Sequence, residues 1–228
     1  MGARPARGAA VSRLVDHPDE DDTPPAATMV DVAFPLEGRS LPRDHRLALA
    51  DALDAAAPWL REVPGAGLHP VNLVHGGGDP ALLSGRARLL LRVPRTHADA
   101  LHRALAGREL DVGSHRVRLG VPHLRELLPH NTLYAHFVAC AAADGDDEAA
   151  FLATVDAELD ALGAACRRVC GRRQLIRGGV APLGGFSLML HGLAVAASLR
   201  VLEAGVGAHR RLGCGLFVPH RSAAAVGA

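Results

Sequence analysis

From Met29 onward the spacing of apolar positions changes period repeatedly along the chain. The compact apolar run Val30 to Phe34 predicts a strand. Asp44 to Ala57 then carries Leu49, Leu53 and Ala56 on one face at helical spacing, continued by Leu60. A helix is expected there, ending at Pro58 because proline cannot extend the hydrogen-bond ladder. Strand-like runs follow at Leu68 to Val74 and Ala87 to Val93, then a helix from Thr96 to Leu105 stopped by Gly107, and extended segments through Val121. The second half repeats this order. Thr132 to Cys140 reads as a strand and Asp147 to Leu162 as a helix with acids in its first turn, where they complement the dipole. Arg167 to Arg177, interrupted by Gly171, reads as a hairpin or strand pair. Phe186 to Leu190 is a strand, Val195 to Glu203 a short helix and Cys214 to Val218 a final strand.

Two β-α-β-β-α-β units in succession predict an α+β chain of two tandem ferredoxin-like domains meeting in a cleft, with a C-terminal glycine-rich loop. The boundaries fall at residues 29–128 and 129–221. Residues 1–28 join an Arg/Ala/Gly start to the acidic run Asp16 to Asp22 and Pro24-Pro25 without an apolar face. They are expected to be a disordered extension, and Met29 is a candidate initiator. Residues 222–228 are expected to be a disordered tail. The length of 228 residues suits two domains of this size.

Composition narrows the function. No apolar run approaches the ~20 residues of a membrane span, so a soluble, cytoplasmic protein without membrane partners is expected. The four cysteines lack C-x-x-C spacing, which points to reduced thiols rather than structural zinc. No metal and no cofactor are expected. The formal net charge of +1 hides an asymmetry: seven acids and no base lie between Asp144 and Asp160, whereas nine arginines and one acid, Glu203, lie between Ala161 and Arg221. Such a one-sided segment is the footprint of a polyanion-binding face. All 25 basic residues are arginine, part of a bias that also enriches Ala and Gly.

The most specific motif is Gly205-x-Gly207-x5-Gly213-x-Gly215, with His209, Arg210 and Arg211 inside the five-residue gap. Glycines permit close backbone approach and positive φ, so successive N–H groups could cradle a phosphate. Adjacent arginines could add bidentate contacts. The loop lacks the Lys-Ser/Thr of a Walker loop, and it follows a helix and opens a strand, the reverse of a dinucleotide fingerprint. A purely structural glycine-rich turn is the alternative.

With this loop, Val30-Asp31-Val32-Ala33-Phe34-Pro35-Leu36, Leu41-Pro42-Arg43-Asp44-His45, Thr132-Leu133-Tyr134-Ala135 and Arg210 to Pro219 resemble the RAMP superfamily of CRISPR-associated proteins. The resemblance covers about residues 29 to 219 and is to the MYXAN-type subfamily of repeat-processing endoribonucleases. It implies metal-independent cutting of precursor crRNA. The ribose 2′-hydroxyl attacks the adjacent phosphate, leaving a 2′,3′-cyclic phosphate and a 5′-hydroxyl. It also implies that the protein stays on the repeat-derived end of the crRNA and joins other effector-complex subunits.

Such a reaction needs proton transfer and positive charge at the phosphorane. His45 is the leading candidate: it opens the first predicted helix, where the dipole disfavours the imidazolium, and the family's catalytic histidine commonly lies near this helix. His69 is the second candidate, and Tyr134, the chain's one tyrosine, the third. Some relatives add a lysine; here that role would fall to Arg43 or Arg46. Arg167, Arg168, Arg172, Arg173 and Arg177 are expected to line an RNA groove, with Gly205, Gly207, His209, Arg210, Arg211, Gly213 and Gly215 around phosphate. Gly76-Gly77-Gly78 is expected to be a mobile loop. Two rivals remain: a non-catalytic RAMP subunit binding crRNA, and a ferredoxin-like metabolite-binding regulator.

Overall fold

The computed structural model describes residues 26–220 apart from 75, 77, 142–146, 178 and 180. Most of the predicted N-terminal extension, Gly77, Asp144, Asp146, Arg221 and the tail at 222–228 therefore lie outside the described residues. The chain forms β1 (Met29–Glu37), β2 (Ser40–Leu41), α1 (Arg46–Ala56), β3 (Gly67–Leu68), β4 (Ala81–Leu82), β5 (Arg88–Pro94), α2 (Ala98–Leu105), β6 (Glu109–Val112), β7 (His115–Leu119) and β8 (His123–Glu126). It continues with β9 (Thr132–Ala139), α3 (Glu148–Ala161), β10 (Arg167–Arg177), β11 (Pro182–His191), α4 (Val195–Ala204) and β12 (Val218–Pro219). Among the described residues no helix is long and apolar enough to cross a membrane.

Two larger antiparallel sheets result, besides the short pair β2-β4. The first has the order β3-β5-β1-β7-β6, with β8 continuing the β7 edge of β1; the second has the order β10-β11-β9-β12. Each wraps its own core. Val30, Val32, Phe34 and Leu36 of β1 pack with Leu49 and Leu53 of α1 and Leu101 and Leu105 of α2. Leu133 and Ala135 of β9 pack with Phe151, Val155 and Leu159 of α3 and Val201 and Leu202 of α4.

β1 is buried almost throughout. Because side chains alternate across a strand, its even positions enter the first core, while Asp31, Ala33 and Pro35 turn to the other face, opposite Arg92, Leu90 and Arg88 of β5. The second half of the chain covers that face. Arg92, 1% exposed, forms a bidentate pair with Asp31 at 2.8 and 2.9 Å. Its remaining nitrogen donates to the carbonyls of Leu202 and Phe217 at 2.8 and 3.0 Å. One guanidinium thus ties the first sheet to α4 and the approach to β12.

Three predicted elements differ. Arg167 to Arg177 is one strand, not a hairpin turning at Gly171: β10 pairs with β11 along its length with a register shift between Cys170 and Arg173. A Cβ at Gly171 would lie 2.0 Å from the Ser187 hydroxyl, so the glycine serves close strand contact rather than a turn. The strand expected over Leu68 to Val74 is paired only at Gly67–Leu68, because His69 donates once to Leu90 and Pro70 has no N–H to continue. The last strand is confined to Val218–Pro219; Cys214 to Phe217 are buried without strand pairing.

Candidate nucleic-acid cleft

The faces of the two sheets that turn away from their cores border a cleft of about 550 Å³. Its first wall carries Arg88 and Leu90 of β5, Arg125 of β8, Arg86, and the segment His69, Pro70 and Asn72 that follows β3. The second wall carries Tyr134 and His136 of β9, Gln174 of β10 and Val218, and Arg46 of α1 closes one end. Four arginines and two histidines border this space. Among the described residues, none that line it is a carboxylate.

Tyr134 and His136 share a face of β9, two positions apart, with ring centroids 5.0 Å apart and edge-on. His220 approaches Tyr134 from beyond β12 at 5.7 Å. Partial burial and the charge of Arg46 hold the His136 imidazole below the usual histidine range, with His69 and His220 adding to the effect.

His69 is buried, and its Nε2 lies 3.5 Å from Asp31 Oδ1. Burial lowers its pKa despite Asp31, and Arg92 lowers it further. Against the upward push of burial, the neighbouring His69 and the bidentate Arg92 hold the Asp31 carboxyl far below the usual carboxylate range. The result is a neutral imidazole beside a fixed carboxylate. Nε2 is buried without a hydrogen-bond partner; a proton on it would face the Asp31 carboxylate and leave Nδ1 as the basic nitrogen.

His45, by contrast, stands behind the cleft. It is the N-cap of α1 and is 4% exposed. Its Nε2 accepts the Val71 N–H at 3.0 Å, so that lone pair is occupied, and Nδ1 is buried without a hydrogen-bond partner. Burial, then Arg46, lowers its pKa. The imidazole ties α1 to the segment that carries His69 and Asn72.

The glycine motif packs closely against the rest of the chain. Several of its N–H groups meet protein acceptors: Val206 on Gly215, Leu212 and Cys214 on His209, Gly213 on Arg210, Gly215 on Phe137, and Gly207 on Glu158 Oε2 at 2.6 Å. Arg210 donates to Gly65 at 2.8 and 3.1 Å and to Glu203 and Ala204. Its burial lowers its pKa to about 10. Arg211 pairs with Asp51 at 2.7 Å and with Asp54. Both guanidiniums therefore join the loop to the first half of the chain. Gly213 (φ +76°) and Gly215 (φ +67°) are needed because a Cβ would meet Leu68 O at 2.7 Å and Val206 O at 1.9 Å, respectively. Gly205 also has positive φ. His209 is the one non-glycine residue with positive φ among those described.

The other predicted binding residues divide. Arg46 lines the cleft while donating to Leu212 and Gly213 at 3.0 and 3.2 Å. Arg43 holds the backbone carbonyls of Gly76 and Gly78. Arg168 pairs with Asp156 at 2.5 Å and Arg177 with Asp44 at 3.4 Å; Arg167, Arg172 and Arg173 are exposed on β10. The sequence reading missed Arg86, Arg88, Arg125 and His136. Their signal was alternation: Arg88-x-Leu90-x-Arg92 and Tyr134-x-His136 interrupt otherwise apolar strands at every second position. Among the described residues no group of three or more His, Cys, Asp or Glu gathers as a metal site.

The fold is similar to that of a solved CRISPR associated protein Cas6, with a TM-score of 0.61 over 85% of this chain and 100% of that one at 10% identity. A structure titled "An RAMP protein binding different RNA substrates" gives 0.60 over 84% and 100%, also at 10% identity. A Cas6-related protein from Pyrococcus furiosus gives 0.58 over 85% and 99%, again at 10% identity. These likenesses concern architecture, and sequence adds descent. The Cas6 Crispr family model matches residues 30–222. The CRISPR-associated endonuclease Cas6 of Myxococcus xanthus (strain DK1622) is 38% identical over 197 residues, 86% of this chain and 84% of that protein. This chain belongs to the Cas6 family of CRISPR-associated endonucleases.

Proposed function

We propose that this endonuclease cuts CRISPR repeat RNA in the cleft between its two sheets, without a metal, by attack of a ribose 2′-hydroxyl on the adjacent phosphate. The products are a 2′,3′-cyclic phosphate and a 5′-hydroxyl. The observation that carries the reading is the cleft itself, bordered by Arg46, Arg86, Arg88 and Arg125 together with His69 and Tyr134. Arginines there would neutralise the backbone and the developing phosphorane charge. The repeated β-α-β-β-α-β order is read as two tandem ferredoxin-like domains, at 29–128 and 129–221. Retention of the cut repeat and entry into an effector complex, in the cytoplasm, belong to the same reading.

His69 is the base in this reading, with Nδ1 taking the 2′-hydroxyl proton and Asp31 fixing its tautomer. His45 is assigned a positioning role, since acting as a base from Nε2 would require release of the Val71 amide. The Tyr134 hydroxyl is placed beside the phosphate. The test is cleavage of repeat RNA by the purified chain in EDTA. Three variants separate the roles. His69→Ala should abolish cutting with binding retained. His45→Asn, whose side-chain oxygen can accept the Val71 N–H, should keep most activity, whereas His45→Ala should lose it. Full activity of His69→Ala with none in His45→Asn would return the base to His45.

A further inference from the structure

We propose that His136 is the general acid that protonates the departing 5′-oxygen, an assignment that rests on the endoribonuclease reading above. In an in-line displacement the attacking and leaving oxygens lie on opposite sides of phosphorus, so base and acid must come from different directions. The cleft supplies that arrangement: His69 stands on the wall built by the first sheet, and His136 on the wall built by the second.

The local construction suits a proton donor. His136 is exposed on β9, its backbone carbonyl accepts from Gln174 at 3.4 Å, and its ring lies edge-on to Tyr134. Arg46, His69 and His220 are the charged or titratable neighbours that disfavour its cation in the free protein. A phosphodiester between them adds the opposite charge and favours the imidazolium. The bond from O2′ to phosphorus forms as the hydroxyl proton passes to His69 Nδ1. The bond from phosphorus to O5′ breaks as O5′ takes the proton of His136. Solvent then restores both imidazoles.

The test compares ordinary repeat RNA with RNA carrying a bridging 5′-phosphorothiolate at the cut, whose thiolate leaves without a proton. His136→Ala and His136→Gln should slow cleavage of ordinary RNA by about 10²-fold or more. On the sulfur substrate they should cut within a few-fold of the unsubstituted protein, while His69→Ala stays slow on both. Binding affinity and unfolding midpoint, measured alongside, should remain near those of the unsubstituted protein. A His136 variant equally impaired on both substrates, or unimpaired on ordinary RNA, overturns the assignment, as does rescue by sulfur of Tyr134→Phe in place of His136→Ala. If the unsubstituted protein cuts neither substrate, the endoribonuclease reading falls with it.

Discussion

Gly213→Ala adds one methyl group where the structure leaves no room for it. At φ +76° a non-glycine residue costs about 1–2 kcal/mol from Cβ sterics alone. The new Cβ would also lie 2.7 Å from Leu68 O, 2.9 Å from Pro70 Cδ and 3.1 Å from Arg46 Nη1. Two of these are backbone or ring atoms with little freedom to move, and overpacking of this kind costs about 1–3 kcal/mol. Displacing Arg46 further weakens its bonds to Leu212 and Gly213, where a charged hydrogen bond contributes about 1.5–3 kcal/mol. The total, about 3–6 kcal/mol given partial overlap, is a large share of an ordinary domain's 5–15 kcal/mol. Urea unfolding of the full chain should show a markedly lower midpoint, while protein kept folded at low temperature still binds repeat RNA. An unchanged midpoint with lost RNA binding would refute the joining role and restore the phosphate cradle.

Arg92→Met should destabilise by about 3–5 kcal/mol, because it leaves Asp31 buried without its partner; a double-mutant cycle with Asp31→Asn should show strong coupling, and additivity would argue against the pair. Burial holds His45 and His69 below the ordinary histidine value of about 6.5, and partial burial with the charge of Arg46 does the same for His136, so below that pH the unfolded chain binds more protons than the folded one. Stability should be fully present above about pH 7 and fall as pH drops through the histidine range, and a flat urea midpoint between pH 7.5 and 5.5 would contradict this. RNA affinity should fall steeply with salt, and Arg86→Ala with Arg88→Ala should flatten the slope by roughly 0.7 per lost phosphate contact on single strands; an unchanged slope would move the RNA off this wall.

Much of the architecture was legible because apolar periodicity reports which face of an element is buried. β1, α1, β9 and α4 each present a clear apolar face, and their predicted ranges lie close to the observed ones. Gly171 misled because a glycine at a close strand contact looks the same in sequence as one at a turn. The glycine motif shows a related limit of sequence: small residues signal close backbone approach, but not to what, and in the folded chain Gly213 approaches Leu68 and Gly215 approaches Val206. His69 and Tyr134 were found by chemistry and do border the cleft. The Asp31–Arg92 pair and the wall arginines were not found, since their meaning depends on two strands 61 residues apart coming into register.

In the proposed mechanism the RNA supplies its own nucleophile inside an arginine-lined cleft. Repeat RNA bearing a single 2′-deoxy substitution at the scissile nucleotide, incubated with the purified chain in EDTA, tests it most directly. The substituted RNA should bind with unchanged affinity and remain intact, while the all-ribose control is cut to a 2′,3′-cyclic phosphate end. Cleavage of the deoxy substrate, or cutting of the control only when a divalent metal is added, would contradict it.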